Sequence, residues 1–125
     1  MTQKPHILIV EDDQLLVDAL TAMLEKRNVP VEVARTVDEG LEKIHSNEPD
    51  LILLDLVMPK KDGRDFLRAL QKDNINIPII VTTNLERAHV REECIALGAQ
   101  EVLTKSNTPL QRLISAIEQY IGTSE

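Results

Sequence analysis

Short apolar runs alternate with longer segments of helical period along the chain, and few architectures accommodate that alternation. The runs are HILIV (6–10), VEVA (31–34), LILL (51–54), PIIVT (78–82) and EVLT (101–104). The first, third and fourth are nearly continuous in apolar residues, the pattern of strands covered on both faces. Between the first two, Leu15, Leu16, Ala19, Leu20, Met23 and Leu24 form one helical stripe, with Asp18, Glu25 and Lys26 opposite. Thr36 with Glu39 has capping-box spacing and opens a second helix carrying Val37, Leu41 and Ile44. A third helix is expected after Gly63, using Phe66, Leu67 and Leu70, and a fourth from about Glu86 to Leu97, stopped by Gly98. Thr108 as cap, Pro109 at the first helical position and Gln111 mark the start of a fifth, buried along Leu110, Leu113, Ile114, Ile117 and Ile121. Strands alternating with helices of this length imply an α/β fold: a parallel sheet with right-handed crossovers and helices on both faces.

The 125 residues suffice for a single domain with a real core, taken as 1–125. No apolar run approaches the roughly 18 to 20 residues of a membrane span, and MTQKPHILIV lacks the features of a signal peptide. No membrane insertion is therefore expected, and the cytoplasm is the default location. The single Cys94 has no internal disulfide partner and reads as a small buried hydrophobe. A formal net charge of −7 disfavours nonspecific attraction to nucleic acid or to an anionic membrane, so a protein or metal partner fits better. Lys60 and Lys61 read as solvated loop lysines, and His6, His45 and His89 as structural or surface residues, since no partner motif accompanies them.

In open α/β sheets, ligands bind beyond the carboxyl ends of the strands. There the chain has Glu11, Asp12 and Asp13 after the first run, Asp55 after the third, Thr83 and Asn84 after the fourth, and Lys105 after the fifth. Taken singly, Asp13 is a helix cap, Asp55 a strand end, Thr83 a loop hydroxyl and Lys105 a surface cation. Taken together they carry more. Two unit charges 4 Å apart repel by about 1 kcal/mol in water and about 4 at an effective dielectric near 20, so Glu11, Asp12 and Asp55 need positive charge among them. Lys105 supplies one unit, and a divalent cation would supply the rest; oxygen ligands of this kind suit magnesium. Such a site is competent for phosphoryl transfer onto Asp55, with Thr83 and Lys105 meeting the charge and acceptors of an acyl phosphate.

ILIVEDD, PDLILLDLVMPKKDG, IPIIVTTN and LGAQEVLTK, in this order and spacing, resemble the receiver domains of two-component response regulators over essentially the whole chain. The resemblance implies the strand order 2-1-3-4-5. It also implies Mg2+ (or Mn2+) held by Asp12 directly, Glu11 largely through water, Asp55 and the backbone carbonyl of Val57. Asp55 would be the phosphoacceptor, Thr83 the switch hydroxyl and Lys105 the lysine that contacts the phosphoryl group. The implied partners are a sensor histidine kinase or histidine phosphotransfer protein and a downstream protein target. TNL followed by KS is similar to a subgroup of single-domain receivers, although a domain excised from a longer protein would look the same.

Several positions depart from the family pattern. Val102 stands where the family often has an aromatic residue, Ser106 where proline commonly follows the lysine, and Asn84 where a small residue follows the threonine. A cis bond without proline costs roughly 2.5 to 4 kcal/mol, so a trans peptide is expected after Lys105. Val57 and Leu85 are apolar at positions that can otherwise help to place an attacking water, which implies slow dephosphorylation. Of the rival readings, a haloacid-dehalogenase-type phosphatase needs a second Asp where Val57 stands, and EDDQLL would repel the phosphate of a flavodoxin-like carrier. A receiver-like interaction module that no longer accepts phosphate is the other alternative.

Overall fold

The computed structural model describes residues 5–58, 60–84 and 88–121. Five parallel strands lie in the order β2-β1-β3-β4-β5: β1 (Ile7–Val10), β2 (Val31–Ala34), β3 (Leu51–Asp55), β4 (Ile79–Thr83) and β5 (Glu101–Thr104). The helices α1 (Gln14–Lys26), α2 (Val37–Ser46), α3 (Gly63–Lys72), α4 (Ala88–Ala96) and α5 (Leu110–Ile121) connect and follow them. The strand order is the one that the family resemblance implies.

Alternation along the strands divides the core in two. Leu8, Val10, Ile52, Leu54 and Val81 pack against the buried faces of α2, α3 and α4 through Ile44, Phe66, Leu67, Val90 and Cys94. Ile7, Ile9, Leu51, Leu53 and Ile80 pack on the other side against Val17, Leu20 and Leu24 of α1 and Leu113 and Ile117 of α5. Cys94 is fully buried, as its position on an apolar helix face leads one to expect.

The strand boundaries move by one residue where pairing outruns hydrophobicity. Asp55 belongs to β3 itself, because its backbone stays in register with Thr82 and the Leu56 N–H donates to the Thr82 carbonyl at 3.0 Å. Thr83 likewise ends β4, carried into the sheet by its pairing with Thr104. Pro78 drops out of the strand, although its carbonyl still accepts from Ile52 N.

The first helical stripe needs a correction. Leu15 is 82% exposed, and Val17 takes its place in the core. At about 100° per residue Leu15 is turned roughly half a circle from Leu24, which points into the sheet. Asp13 is the cap of α1, accepting from the N–H groups of Leu15 and Leu16. Thr36 caps α2 through Glu39 N, while the Glu39 carboxylate reaches one residue further back, to Arg35 N.

The expected start of the fourth helix at Glu86 lies outside the described residues, and Ala88–Ala96 is helical. Gly98 ends that helix with φ +110, where the Ala99 N–H turns back to the Cys94 carbonyl. The fifth helix begins at Leu110, one residue later than expected, with the Pro109 carbonyl accepting from Leu113 N. No cis peptide occurs among the described residues, so the bond after Lys105 is trans as expected. Lys61, read as solvated, is exposed but pairs with Asp38 at 2.8 Å, tying the β3–α3 loop to the start of α2.

Candidate functional site

The carboxyl edge of the sheet collects acids from two strand ends and a cation from a third. Glu11 follows β1 and is 3% exposed; Asp55 closes β3 and is 6% exposed. Asp12 is exposed beside them, and carboxylate oxygens of all three lie within 4.8 Å of one another. Lys105, in the 3-10 turn after β5, places Nζ 3.1 and 3.2 Å from the two Glu11 oxygens and 3.4 Å from Asp55 Oδ2. The Asp13 N–H donates to Glu11 Oε2 and the Val57 N–H to Asp55 Oδ1, which fixes the orientation of both carboxylates.

One ammonium does not offset two buried acids. Burial pushes the Glu11 carboxyl up to about 7, and the nearby Asp55 charge adds to the rise against the pull of Lys105. Asp55 is also raised, chiefly by burial and against the pull of Lys105. Burial would depress the Lys105 ammonium, but the charges of Asp55 and Glu11 outweigh it and hold it above its ordinary value. The pocket therefore carries a deficit of positive charge, and three clustered carboxylates match the hard oxygen donors that a magnesium-sized cation takes.

The other residues singled out from the sequence have distinct positions. Val57, two residues beyond Asp55, is 55% exposed in the loop over the site. Thr83 is 1% exposed at the end of β4, and Asn84 is exposed just beyond it. Leu85 lies outside the described residues. Val102 is buried on the α4 side of the sheet, away from the acids, and its carbonyl accepts from Arg91 Nη1 of α4 at 3.0 Å.

Two positions near the site escaped the sequence reading. A Cβ at Gly63 would stand 2.9 Å from both the Asp55 carbonyl oxygen and Leu56 Cα, so only glycine lets α3 start directly under the end of β3. The Gly63 N–H donates to the Leu56 carbonyl at 2.7 Å, which anchors that close approach. Thr82 is the cross-strand neighbour of Asp55 and is 3% exposed. A threonine closing the apolar run PIIVT was the only sequence signal for it.

A doubly wound α/β domain with a buried, charge-deficient carboxylate cluster at its carboxyl edge defines the class of protein. Residues 7–118 match the family model described as response regulator receiver domain, and the chain belongs to that family. Receiver domains are the signalling switches of two-component systems, and they generally bind Mg2+ at an acidic cluster.

Among curated relatives, the transcriptional regulatory protein DltR of Streptococcus agalactiae is 32% identical over 100 residues, covering 80% of this chain and 45% of DltR. The chain thus spans about half the length of curated relatives of this kind. Among solved structures, the non-phosphorylated HemR receiver domain from Leptospira biflexa is 32% identical with a TM-score of 0.87, covering 98% of each chain. The receiver domain of the Francisella response regulator 1452 is 29% identical with a TM-score of 0.87, covering 94% of this chain and 96% of its own.

Proposed function

We propose that this receiver accepts a phosphoryl group on Asp55 from a phosphohistidine of a sensor kinase or histidine phosphotransfer protein, and that the transfer switches a protein-interaction surface. The observation that carries the reading is the placement of Asp55: a carboxylate held rigidly at a strand end, in contact with Lys105 and beside the Glu11–Asp12 pair.

In the transfer, an Asp55 carboxylate oxygen forms a bond to phosphorus while the phosphorus–nitrogen bond of the donor breaks and the imidazole leaves with the bonding pair. Glu11, Asp12, Asp55 and the Val57 carbonyl would hold Mg2+, or Mn2+ in its place. That ion supplies the positive charge that lets the phosphoryl oxygens approach a carboxylate. Lys105, already between Glu11 and Asp55, follows the transferred group as its counter-charge. Thr83, at the end of the neighbouring strand, contributes the hydroxyl that closes on the product. The domain catalyses both its own phosphorylation and the later hydrolysis.

The implied partners are the phosphohistidine protein and a downstream protein target. The net charge of −7 disfavours direct nucleic-acid contact by this domain. Among the described residues no helix is long and apolar enough to cross a membrane, and the cytoplasm is the compartment we assign. Residues 1–125 act as one receiver domain on this reading. The test is intact mass after incubation with Mg2+ and a small acyl or amidophosphate donor, comparing wild type with Asp55→Asn. One added phosphoryl group, labile to hydroxylamine and absent from the variant, is the expected result. No gain from a small donor or from a phosphohistidine protein would leave a receiver-like module that works without phosphate.

A further inference from the structure

Thr82 is a buried polar residue near the carboxyl edge of the sheet. Its hydroxyl oxygen is buried and has no hydrogen-bond partner, although valine would fill the same space without leaving a polar atom unsatisfied. A buried, unpaired hydroxyl in a well-packed strand calls for a reason.

Its position supplies one. Alternation puts Thr82 on the α1/α5 face of β4 with Ile80, two residues before it. Asp55 shares that face through Leu53, and Glu11 shares it through Ile9. Thr82 and Asp55 are paired in register on adjacent parallel strands, which lie about 4.8 Å apart. Thr83 follows Val81 onto the opposite side by the same alternation. Thr82 also lines a crevice of about 350 Å³ together with Lys105, Ser106, Asn84 and Leu103. Thr82 and the site's lysine therefore border the same space.

We propose that Thr82 is a positioning residue for Lys105: its Oγ1 accepts a hydrogen bond from the Lys105 ammonium once that group leaves Glu11 to follow the phosphoryl group. An ammonium has three N–H donors and a hydroxyl has two lone pairs, so the contact adds to the phosphoryl interactions of Lys105 without displacing them. In the structure as it stands, Lys105 is engaged by Glu11 and Asp55. The Thr82 hydroxyl, which has no other partner, is an acceptor that stays available when those carboxylates take up a cation and a phosphoryl group. The inference rests on the reading of Asp55 as phosphoacceptor and concerns how its lysine is aimed.

The experiment measures the rate of Asp55 phosphorylation by a small acyl phosphate with Mg2+ in wild type, Thr82→Val, Thr82→Ser and Thr21→Val. Thr21 carries another buried, unpartnered hydroxyl, on α1, and serves as the control for simple removal of such a group. Thr82→Val should react about tenfold more slowly, the loss of one hydrogen bond to a charged group. Thr82→Ser should stay within about twofold of wild type, and Thr21→Val should be unchanged. In a Lys105→Ala background the Thr82→Val substitution should have no further effect, because the two act as a pair. A folded Thr82→Val protein phosphorylated at the wild-type rate would overturn the inference and leave the Asp55 reading intact. Equal slowing in Thr82→Ser, or a full additional slowing in the Lys105→Ala background, would overturn it in favour of packing. A wild-type protein that gains no phosphoryl group on Asp55 from any donor would overturn both.

Discussion

Substituting Glu11 by glutamine should stabilise the metal-free protein by an amount that grows with pH. The isosteric amide still accepts from Asp13 N–H and Lys105 but removes one of two buried, neighbouring charges. In the unfolded chain Glu11 titrates near 4.5, whereas burial and the Asp55 charge push it up to about 7 in the folded protein. Between those values the folded chain holds a proton that the unfolded chain has lost, so unfolding becomes easier as pH rises.

At 1.36 kcal/mol per pH unit, the wild type loses on the order of 3 kcal/mol across this window, with nothing further lost above it. Glutamine has no such proton, so the gap between variant and wild type should open by about that amount between pH 4 and pH 8. The measurement is urea unfolding of both proteins at several pH values in the presence of a chelator. Millimolar Mg2+ should then narrow the gap at pH 8, since a cation favours the ionised carboxylate. A gap that stays constant with pH, or widens toward acid, would refute the electrostatic account of this pocket.

Lys105→Met removes the ammonium that contacts both Glu11 and Asp55 and leaves two buried acids uncompensated, so the chelated protein should lose about 3 kcal/mol near pH 8 by urea midpoint. Protonation of the acids should shrink that loss toward pH 5. Gly63→Ala drives a Cβ to within 2.9 Å of the Asp55 carbonyl oxygen and Leu56 Cα, backbone that has little room to retreat, and should cost about 1 to 3 kcal/mol. A melting temperature equal to wild type would show that α3 can slide away at no cost. Val57 is exposed over the Asp55 carboxylate and offers no group to hold a water, so Val57→Asn should shorten the lifetime of the phosphorylated form. An unchanged decay of the hydroxylamine-labile mass would count against slow hydrolysis being due to that apolar side chain.

The sequence by itself determined the alternation of strands and helices, the parallel sheet and the edge on which to look for chemistry. These follow from local periodicity and from capping residues such as Asp13 and Thr36, which act within a few positions of themselves. The strand order came with the family resemblance, because hydrophobic pattern says which faces are covered but not which strand lies beside which. Leu15 shows the limit of periodicity: a leucine counted with the apolar stripe lies at its margin, roughly half a circle from Leu24, and is turned to solvent by where α1 sits on the sheet. Glu11, Asp55 and Lys105 were legible as candidates from their places after apolar runs. That both acids are buried against one lysine, with Glu11 raised to about 7, is a consequence of packing that no linear pattern contains. Gly63 and Thr82 matter through what lies opposite them on another segment, the end of β3 in both cases. Distances across strands arise only when the sheet assembles, and so tertiary structure alone decided how close the charges stand and which residue pairs with Asp55.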